Sequence, residues 1–426
     1  MNFRILGLVK LVKLPTFLMT ATLVACSSGQ GTAPSESREH VGQARSAVIK
    51  GKNSIAAQDS VVLLIHYDPS GGEFASCTGT LIAPNLVLTA RHCVADTDES
   101  AACDVDGTPL AQGVVRLNHP ANTLYVFTGT ERPDFSQPNI TPAGVGKKVL
   151  DDGGKNLCNH DIAMVVLQDP IPNAKITPLR LDGNVIKGEV LTAIGWGVTD
   201  RTPQPDTRQQ RTGIKVLEIG PDDSTGAPVP SNEFQVGESI CSGDSGGPAI
   251  ASTGAIIGVV SRGGNQTQPD PRDPSSGCVG AQSMNLYTKI APFKSFIMKG
   301  FDLVQAEPWL ENGPDPRLLT PGSACTAGEE CRSNLCLIAD PKTPDALTCA
   351  SDCSVTACPD GQTCTPEGEA QVCRATPDPA AAAAAAAGTT TTRSGCATAP
   401  GSAPSSNLLA FGLAALGLVA FRRRRS

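Results

Sequence analysis

The sequence predicts a mostly β protein, a barrel or sandwich, and three observations carry that prediction. Between Val48 and about residue 300 the apolar runs are short: "VVLLIHY", "GTLIAPNLVLTA", "DIAMVVL", "EVLTAIGWG", "GIKVLEI" and "GAIIGVVS". They have the length and β-branched content of strands. Gly, Pro, Asn and Asp break them at close intervals, as turns require. Helical periodicity is missing except at "APFKSFIMK", where one helix is expected. Short strands without helices between them point to antiparallel layers.

The 426 residues allow two domains and tails. Charged residues are 18% and hydrophobic ones 40%, which suits a globular protein with low-complexity appendages. A net charge of −7 gives no electrostatic basis for nucleic-acid binding. The first 25 residues read as a signal peptide: Arg4, Lys10 and Lys13 precede the apolar core Leu14–Val24, too short to span a bilayer. "LVAC" ending at Cys26 resembles the lipobox of bacterial lipoproteins, which implies a lipidated cysteine as mature N-terminus. Residues 26–47 are small and polar, a tether or propeptide.

Residues 301–322 form a Pro-rich linker, and 323–374 hold eight cysteines with few large apolar groups. Such a segment is expected to be stapled by disulfides rather than built on a core. Residues 375–395 are an Ala/Thr-rich linker. The tail, 396–426, has a 14-residue apolar run, Leu408–Phe421, stopped by four arginines. With Cys396 upstream it resembles the MYXO-CTERM sorting tails of myxobacterial surface proteins, implying processing near that cysteine and display at the cell surface. The 16 cysteines fit an oxidising compartment. Expected partners are protein or peptide substrates and the membrane, through lipid or tail. For the Cys-rich segment a surface partner and a protease-resistant spacer are equally open. No metal and no cofactor is expected.

The chemistry centres on "CSGDSGGPAI", residues 241–250. A serine hydroxyl is a poor nucleophile at neutral pH and needs a base, an orienting carboxylate and oxyanion donors. Turns through Gly243 and Gly246 can aim the N–H groups of Gly243 and Ser245 at one spot. Five histidines are available as base. His40 lies in the tether, His119 precedes a proline, His66 ends an apolar run and His160 precedes an aspartate. His92, in "LTARHCV", follows an apolar run and adjoins Cys93. Asp161, in "NHDIAMVVL", has the apolar flank that shields an orienting carboxylate, which Asp151, Asp152 and Asp169 lack.

"LTARHC", "DIAMVVL", "GWG" at 195–197 and "CSGDSGGP" stand in the order His, Asp, Ser of the chymotrypsin/trypsin-like peptidases, which the segment 48–300 resembles. That resemblance implies two six-stranded antiparallel β-barrels with the active site between them. It makes Ser245 the nucleophile, His92 the general base and then acid, Asp161 the residue holding the imidazole tautomer, and Gly243 with Ser245 the oxyanion hole. It also implies Cys77–Cys93 and Cys241–Cys278 bridges. Cys103 and Cys158 are left to pair with each other, though other connectivities stay open. Asp244 corresponds to the aspartate that receives a new N-terminus on zymogen cleavage, and "AVIKGKNS" resembles a mature start at Val48. Lys50 departs from the usual small residue, and Arg45 sits two residues too early for a trypsin-type cut. Ser239 falls at the base of the S1 pocket, where trypsin-like members carry Asp; Gly263 and Asn285 fall on its walls, and Arg262 replaces the usual Trp. These departures favour a small or medium uncharged P1 side chain.

Overall fold

Val61 to His66 are six consecutive buried residues, an unusual pattern for a strand unless both of its faces are covered. The computed structural model describes residues 48–376, with short breaks at 71–72, 99, 138, 201, 203, 225–226, 266, 339–342, 344 and 355–356. The segments read as signal peptide and tether, with Cys26 and His40, and the C-terminal segment with Cys396 and the apolar run lie outside the described residues. Among the described residues no helix is long and apolar enough to cross a membrane.

Six strands close the first barrel: β1 (Val61–Asp68), β2 (Glu73–Ala83), β3 (Leu86–Thr89), β4 (Leu124–Phe127), β5 (Gly144–Asp151) and β6 (Ala163–Leu167). Their order is β5-β6-β3-β2-β1-β4, closed on itself, so no edge is left to aggregate. Pro84 and Asn85 make the two-residue turn between β2 and β3, where Ala83 faces Leu86; proline presets the φ such a turn needs.

The second barrel is β7 (Val190–Gly195), β8 (Gln209–Ile219), β9 (Glu233–Val236), β10 (Pro248–Ala251), β11 (Ile256–Gly264) and β12 (Met284–Lys289). The order β8-β7-β10-β11-β12-β9 is closed by pairing of β8 with β9, and Lys52–Asn53 adds along the outside of β8. On β8, Ile214 and Val216 point inward while Lys215 and Leu217 face solvent, the period-two pattern of a half-buried strand. The fold is thus the mostly β, double-barrel architecture expected of the sequence. The one expected helix forms as α1 (Lys294–Val304) and buries Ile297, Gly300 and Phe301 at the i, i+3, i+4 spacing of one helical face. It joins a core shared by both barrels, including Leu86, Met164, Leu179 and Ile256.

Arg208, fully buried at the entry to β8, ties the barrels together. Its guanidinium donates to Ser54 Oγ, the carbonyls of Val61, Gly129 and Ile55, and Asp59 Oδ1, at 2.7–3.0 Å. Burial lowers its pKa, and the Asp59 contact pulls it back up. A buried cation is tolerable only when its donors are satisfied this fully.

A second compact unit begins at Glu307. Within it Cys325 joins Cys336 and Cys331 joins Cys349; then Cys353 joins Cys364 and Cys358 joins Cys373. Each set of four is linked first to third and second to fourth, so the segment is two copies of one small crosslinked motif. Its short strands pair only in twos, and its core is largely the sulfurs themselves.

Candidate active site

His92 stands on the single 3₁₀ turn Arg91–Cys93 that follows β3. The turn is pinned at Cys93 by a disulfide to Cys77 of β2. Asp161, fully buried just before β6, accepts the His92 backbone N–H at 3.0 Å through Oδ1 and faces His92 Nδ1 at 2.9 Å through Oδ2. Ser261 Oγ donates to the same Oδ2 at 2.6 Å, and Thr288 Oγ1 donates to the Asp161 carbonyl at 3.1 Å. The imidazole is therefore fixed in position and in tautomer, with Nδ1 toward the carboxylate.

Electrostatics reinforce this pairing. Burial opposes the ionised form of Asp161 most strongly, yet the His92 charge and the hydrogen bonds from His92 and Ser261 outweigh it and lower the pKa. Burial likewise opposes the charged form of His92. The charge and hydrogen bond of Asp161 overcome it and raise the pKa above 6.5, while Arg262 pushes the other way.

Ser245 and His92 line one cavity of about 230 Å³, shared with Ser100, Leu157, Ser242 and Asn285 among others. Before Ser245 the chain turns through Gly243 at φ +96°, a left-handed conformation that side-chain-bearing residues rarely adopt. The N–H groups of Asp244, Gly246 and Gly247 are spent on the carbonyls of Cys241, Val260 and Asp244. Among the described residues, those of Gly243 and Ser245 have no protein acceptor, which leaves two adjacent donors available at the turn.

The cavity lining carries Asp98 and Arg262 beside the uncharged Asn285, and Ser239 is not among the lining residues but meets Asn285 from within the barrel. Ser239 and Asn285 are buried; Asn285 Nδ2 donates to the Gly237 carbonyl at 2.9 Å and to Ser239 Oγ at 3.3 Å. With its amide nitrogen so engaged, Asn285 Oδ1 is left as a buried acceptor without a protein donor. A β-carbon at Gly263 would meet that oxygen at 2.2 Å, so no side chain fits there. Glu238, the acidic neighbour of Ser239, turns away: it pairs with Lys50 at 2.6 Å and accepts the Gly280 N–H at 2.6 Å. The unusual lysine at position 50 has its partner there.

Asp244 is buried with its carboxylate on the N–H groups of Gly197 and Cys241, at 2.8 and 2.9 Å. Burial pushes its pKa up to about 7 against those hydrogen bonds. Val48 is buried among second-barrel side chains including Leu191, Ile214 and Tyr287, and Ile49 packs beside the Cys241–Cys278 bridge.

Several residues of the site carry no local signature. Arg262, which stands at the position the resemblance gives to a tryptophan, meets Glu233 at 2.7 Å; Glu233 is wholly buried and also accepts the Asn159 N–H. The same guanidinium reaches Ser261 Oγ at 3.2 Å and Cys103 Sγ at 3.2 Å. Cys103 is bonded to Cys158, three residues before Asp161. Arg132 donates to the Trp196 carbonyl at 2.5 Å and lies over the indole ring. Of the other histidines, His66 stacks on His119 with centroids 3.7 Å apart, and His160 pairs with Asp152. Sequence distance hides most of these contacts. The acidic residue at a strand start and the arginine at the tryptophan position were the only cues.

The cysteine clusters close enough to surround a metal, at Cys77 and Cys93, at Cys325, Cys331 and Cys336, and at Cys353, Cys358 and Cys364, are all disulfide-bonded. Their sulfurs carry no thiolate, the form a metal needs.

The profile of the Trypsin family matches residues 49–297. A trypsin of Saccharopolyspora erythraea is 23% identical over 262 residues, covering 59% of this chain and 97% of that protein. The β-fibrinogenase brevinase of Gloydius blomhoffii is 27% identical, covering 52% of this chain and 84% of that protein. Among solved structures, neuropsin, a serine protease of mouse brain, aligns over 60% of this chain and 100% of its own, with 21% identity and a TM-score of 0.42. With more than half of its length matched and the double barrel in place, the chain belongs to the trypsin family.

Proposed function

We propose that the protein is an exported serine endopeptidase. Ser245 attacks the scissile carbonyl, His92 takes its proton and returns it to the leaving amine, and Asp161 holds the imidazole. Gly243 and Ser245 N–H groups stabilise the tetrahedral oxyanion, each such donor contributing roughly 10²–10³ in rate. The observation that carries the reading is the His92–Asp161 pair, doubly hydrogen-bonded and capped by Ser261, beside a serine whose turn offers two unpaired N–H donors.

The S1 pocket selects a small or medium uncharged side chain, because Ser239 and Asn285 supply polarity without charge. A donor-bearing side chain satisfies Asn285 Oδ1. Cleavage before Val48 gives an ammonium that pairs with Asp244 and orders the pocket, so the uncut chain is a zymogen. The signal peptide and tail direct the enzyme to the cell surface, with Cys26 lipidated or Cys396 processed, and the Cys-rich unit is its spacer or adhesive module.

The test is labelling with a fluorophosphonate probe of the uncut chain, of protein starting at Val48 and of Ser245→Ala. Labelling of the Val48-started form alone, lost in Ser245→Ala, supports both nucleophile and zymogen control. Labelling of both forms removes the activation step. No labelling of any disulfide-intact form overturns the peptidase reading.

A further inference from the structure

Three strands of the first barrel end in one row. Asp151, the last residue of β5, pairs with Ala163 at the start of β6, and Ala163 pairs in turn with Thr89 at the end of β3. Asp161 stands two residues before Ala163, and His92 three residues after Thr89. The third strand runs on into Asp152, so two consecutive aspartates stand beside the two segments that bring the imidazole and its carboxylate together.

Each aspartate grips the residue next to one member of that pair. Asp151 Oδ2 faces Arg91 Nη2 at 3.6 Å and accepts Asn118 Nδ2 at 3.0 Å, while Arg91 Nη1 donates to Asn118 Oδ1. Arg91 is buried and immediately precedes His92. Asp152 Oδ2 lies 2.5 Å from His160 Nδ1, and His160 immediately precedes Asp161. The other two oxygens fix the aspartates themselves. Asp151 Oδ1 accepts the Gly153 N–H and Asp152 Oδ1 the Gly154 N–H, both at 3.0 Å. A β-carbon at Gly154 would meet His160 Cβ at 2.5 Å, so the close approach of His160 depends on glycine there.

Charge favours both contacts. Burial disfavours the Arg91 cation, and Asp151 leads the charges that oppose this. Burial also opposes ionisation of Asp151, yet the Asn118 hydrogen bond, the Arg91 charge and the Gly153 N–H hold its carboxyl below the usual range. The Asp152 hydrogen bond raises the His160 pKa; burial opposes it, and the Asp152 and Glu233 charges add to it.

We propose that Asp151 and Asp152 are positioning residues of the active site: one clamps Arg91, the other clamps His160, and together they fix His92 against Asp161. None of these four clamp residues lines the catalytic cavity, so they act through the triad and not on the substrate. His92 Nδ1 and Asp161 Oδ2 are 2.9 Å apart. A shift of about 1 Å breaks such a contact, and misplacements of that size cost on the order of 10² in rate. The proposal rests on the peptidase reading and adds the residues that hold its base in register.

The experiment uses the exported protein in whichever form, uncut or started at Val48, takes the fluorophosphonate label, with a short peptide ester as substrate. The His160 side chain is 40% exposed, so its variants are expected to fold. In His160→Ala, kcat is expected to fall about fivefold or more with KM within about twofold of wild type. His160→Lys keeps a cation for Asp152 and is expected to bring kcat back to within about twofold of wild type. Asp151→Asn keeps an oxygen for the Gly153 N–H and drops the charge facing Arg91; its kcat is expected to fall about tenfold, again at nearly constant KM. Thermal unfolding of each variant separates loss of fold from loss of rate. Lower stability with unchanged kcat would overturn the clamp, leaving the aspartates as plain staples. So would a His160→Lys variant as slow as His160→Ala, because the ion pair would not be the operative contact. A loss carried by KM would also overturn it. If neither wild-type form takes the label, the peptidase reading falls and the clamp with it. A labelled wild type whose kcat is indifferent to all three substitutions brings down the clamp alone.

Discussion

Arg262 and Glu233 face each other at 2.7 Å at the wall of the catalytic cavity, with Glu233 fully buried and Arg262 partly exposed on the cavity lining. The pair sits one residue from Ser261, the donor to Asp161, and against the Cys103–Cys158 bridge. Removing one partner strands a buried charge, at a cost of about 3–5 kcal/mol. Arg262→Leu should therefore unfold at distinctly lower urea concentration than wild type. Arg262→Leu/Glu233→Leu should recover much of the loss, since an apolar pair leaves no uncompensated charge. Equilibrium denaturation of the single and double variants checks this.

Activity should rise with pH as His92 loses its proton, because the base must be neutral to accept one from Ser245. Asp161 holds the His92 pKa above 6.5, so the acid limb of kcat/KM should lie on the alkaline side of that value. Arg262 opposes the rise, and its removal should move the limb further up in pH. A pH–rate profile of wild type and Arg262→Gln, which removes the charge and leaves Glu233, reads both shifts; a limb that moves down contradicts the placement of that charge.

Ser261→Ala removes a 2.6 Å hydrogen bond to the Asp161 carboxylate. Hydrogen bonds to charged groups are worth roughly 1.5–3 kcal/mol. The expected result is a fall of about tenfold or more in kcat with KM nearly unchanged, because the group orients the imidazole rather than the substrate. Steady-state kinetics on a short peptide ester separate the two constants.

In the uncut chain, Asp244 should make stability depend on pH with an unusual sign. Its folded pKa is raised from 3.8 to about 7 by burial, so between those values the folded state binds more protons than the unfolded one. Stability should fall as pH rises from about 4 to about 7 and then level off, a total on the order of 4 kcal/mol from this group. Processing at Val48, if its ammonium reaches Asp244, should flatten the slope, and Asp244→Asn in the uncut chain should abolish it. Thermal unfolding across that pH range distinguishes the forms.

The Cys103–Cys158 bridge closes a 55-residue separation, for which loop entropy gives about 4 kcal/mol. Cys103→Ala/Cys158→Ala should lower stability by up to that amount. It should also reduce kcat, because Cys158 leads into Asp161 and Cys103 touches Arg262. Measured stability with unchanged kcat would leave the bridge a purely structural staple.

The primary sequence by itself determined the class of the fold and pointed to the groups proposed to react. Strand length, turn residues and one helical repeat are local properties, so "VVLLIHY" and "APFKSFIMK" could be read where they stand. "TARHC" and "GDSGGP" were legible for the same reason: a pinned turn and a left-handed glycine need particular residues next to one another. What only the tertiary structure decided is what these groups meet. Ser261, Glu233, Arg132 and Arg208 lie 29 to 154 residues from the groups they contact, and nothing in their neighbours announces a buried charge. Lys50 read as a departure until its ion pair with Glu238 explained it. Desolvation, charge pairing and cavity shape depend on which surfaces are brought together, and that is set by the packing of the barrels.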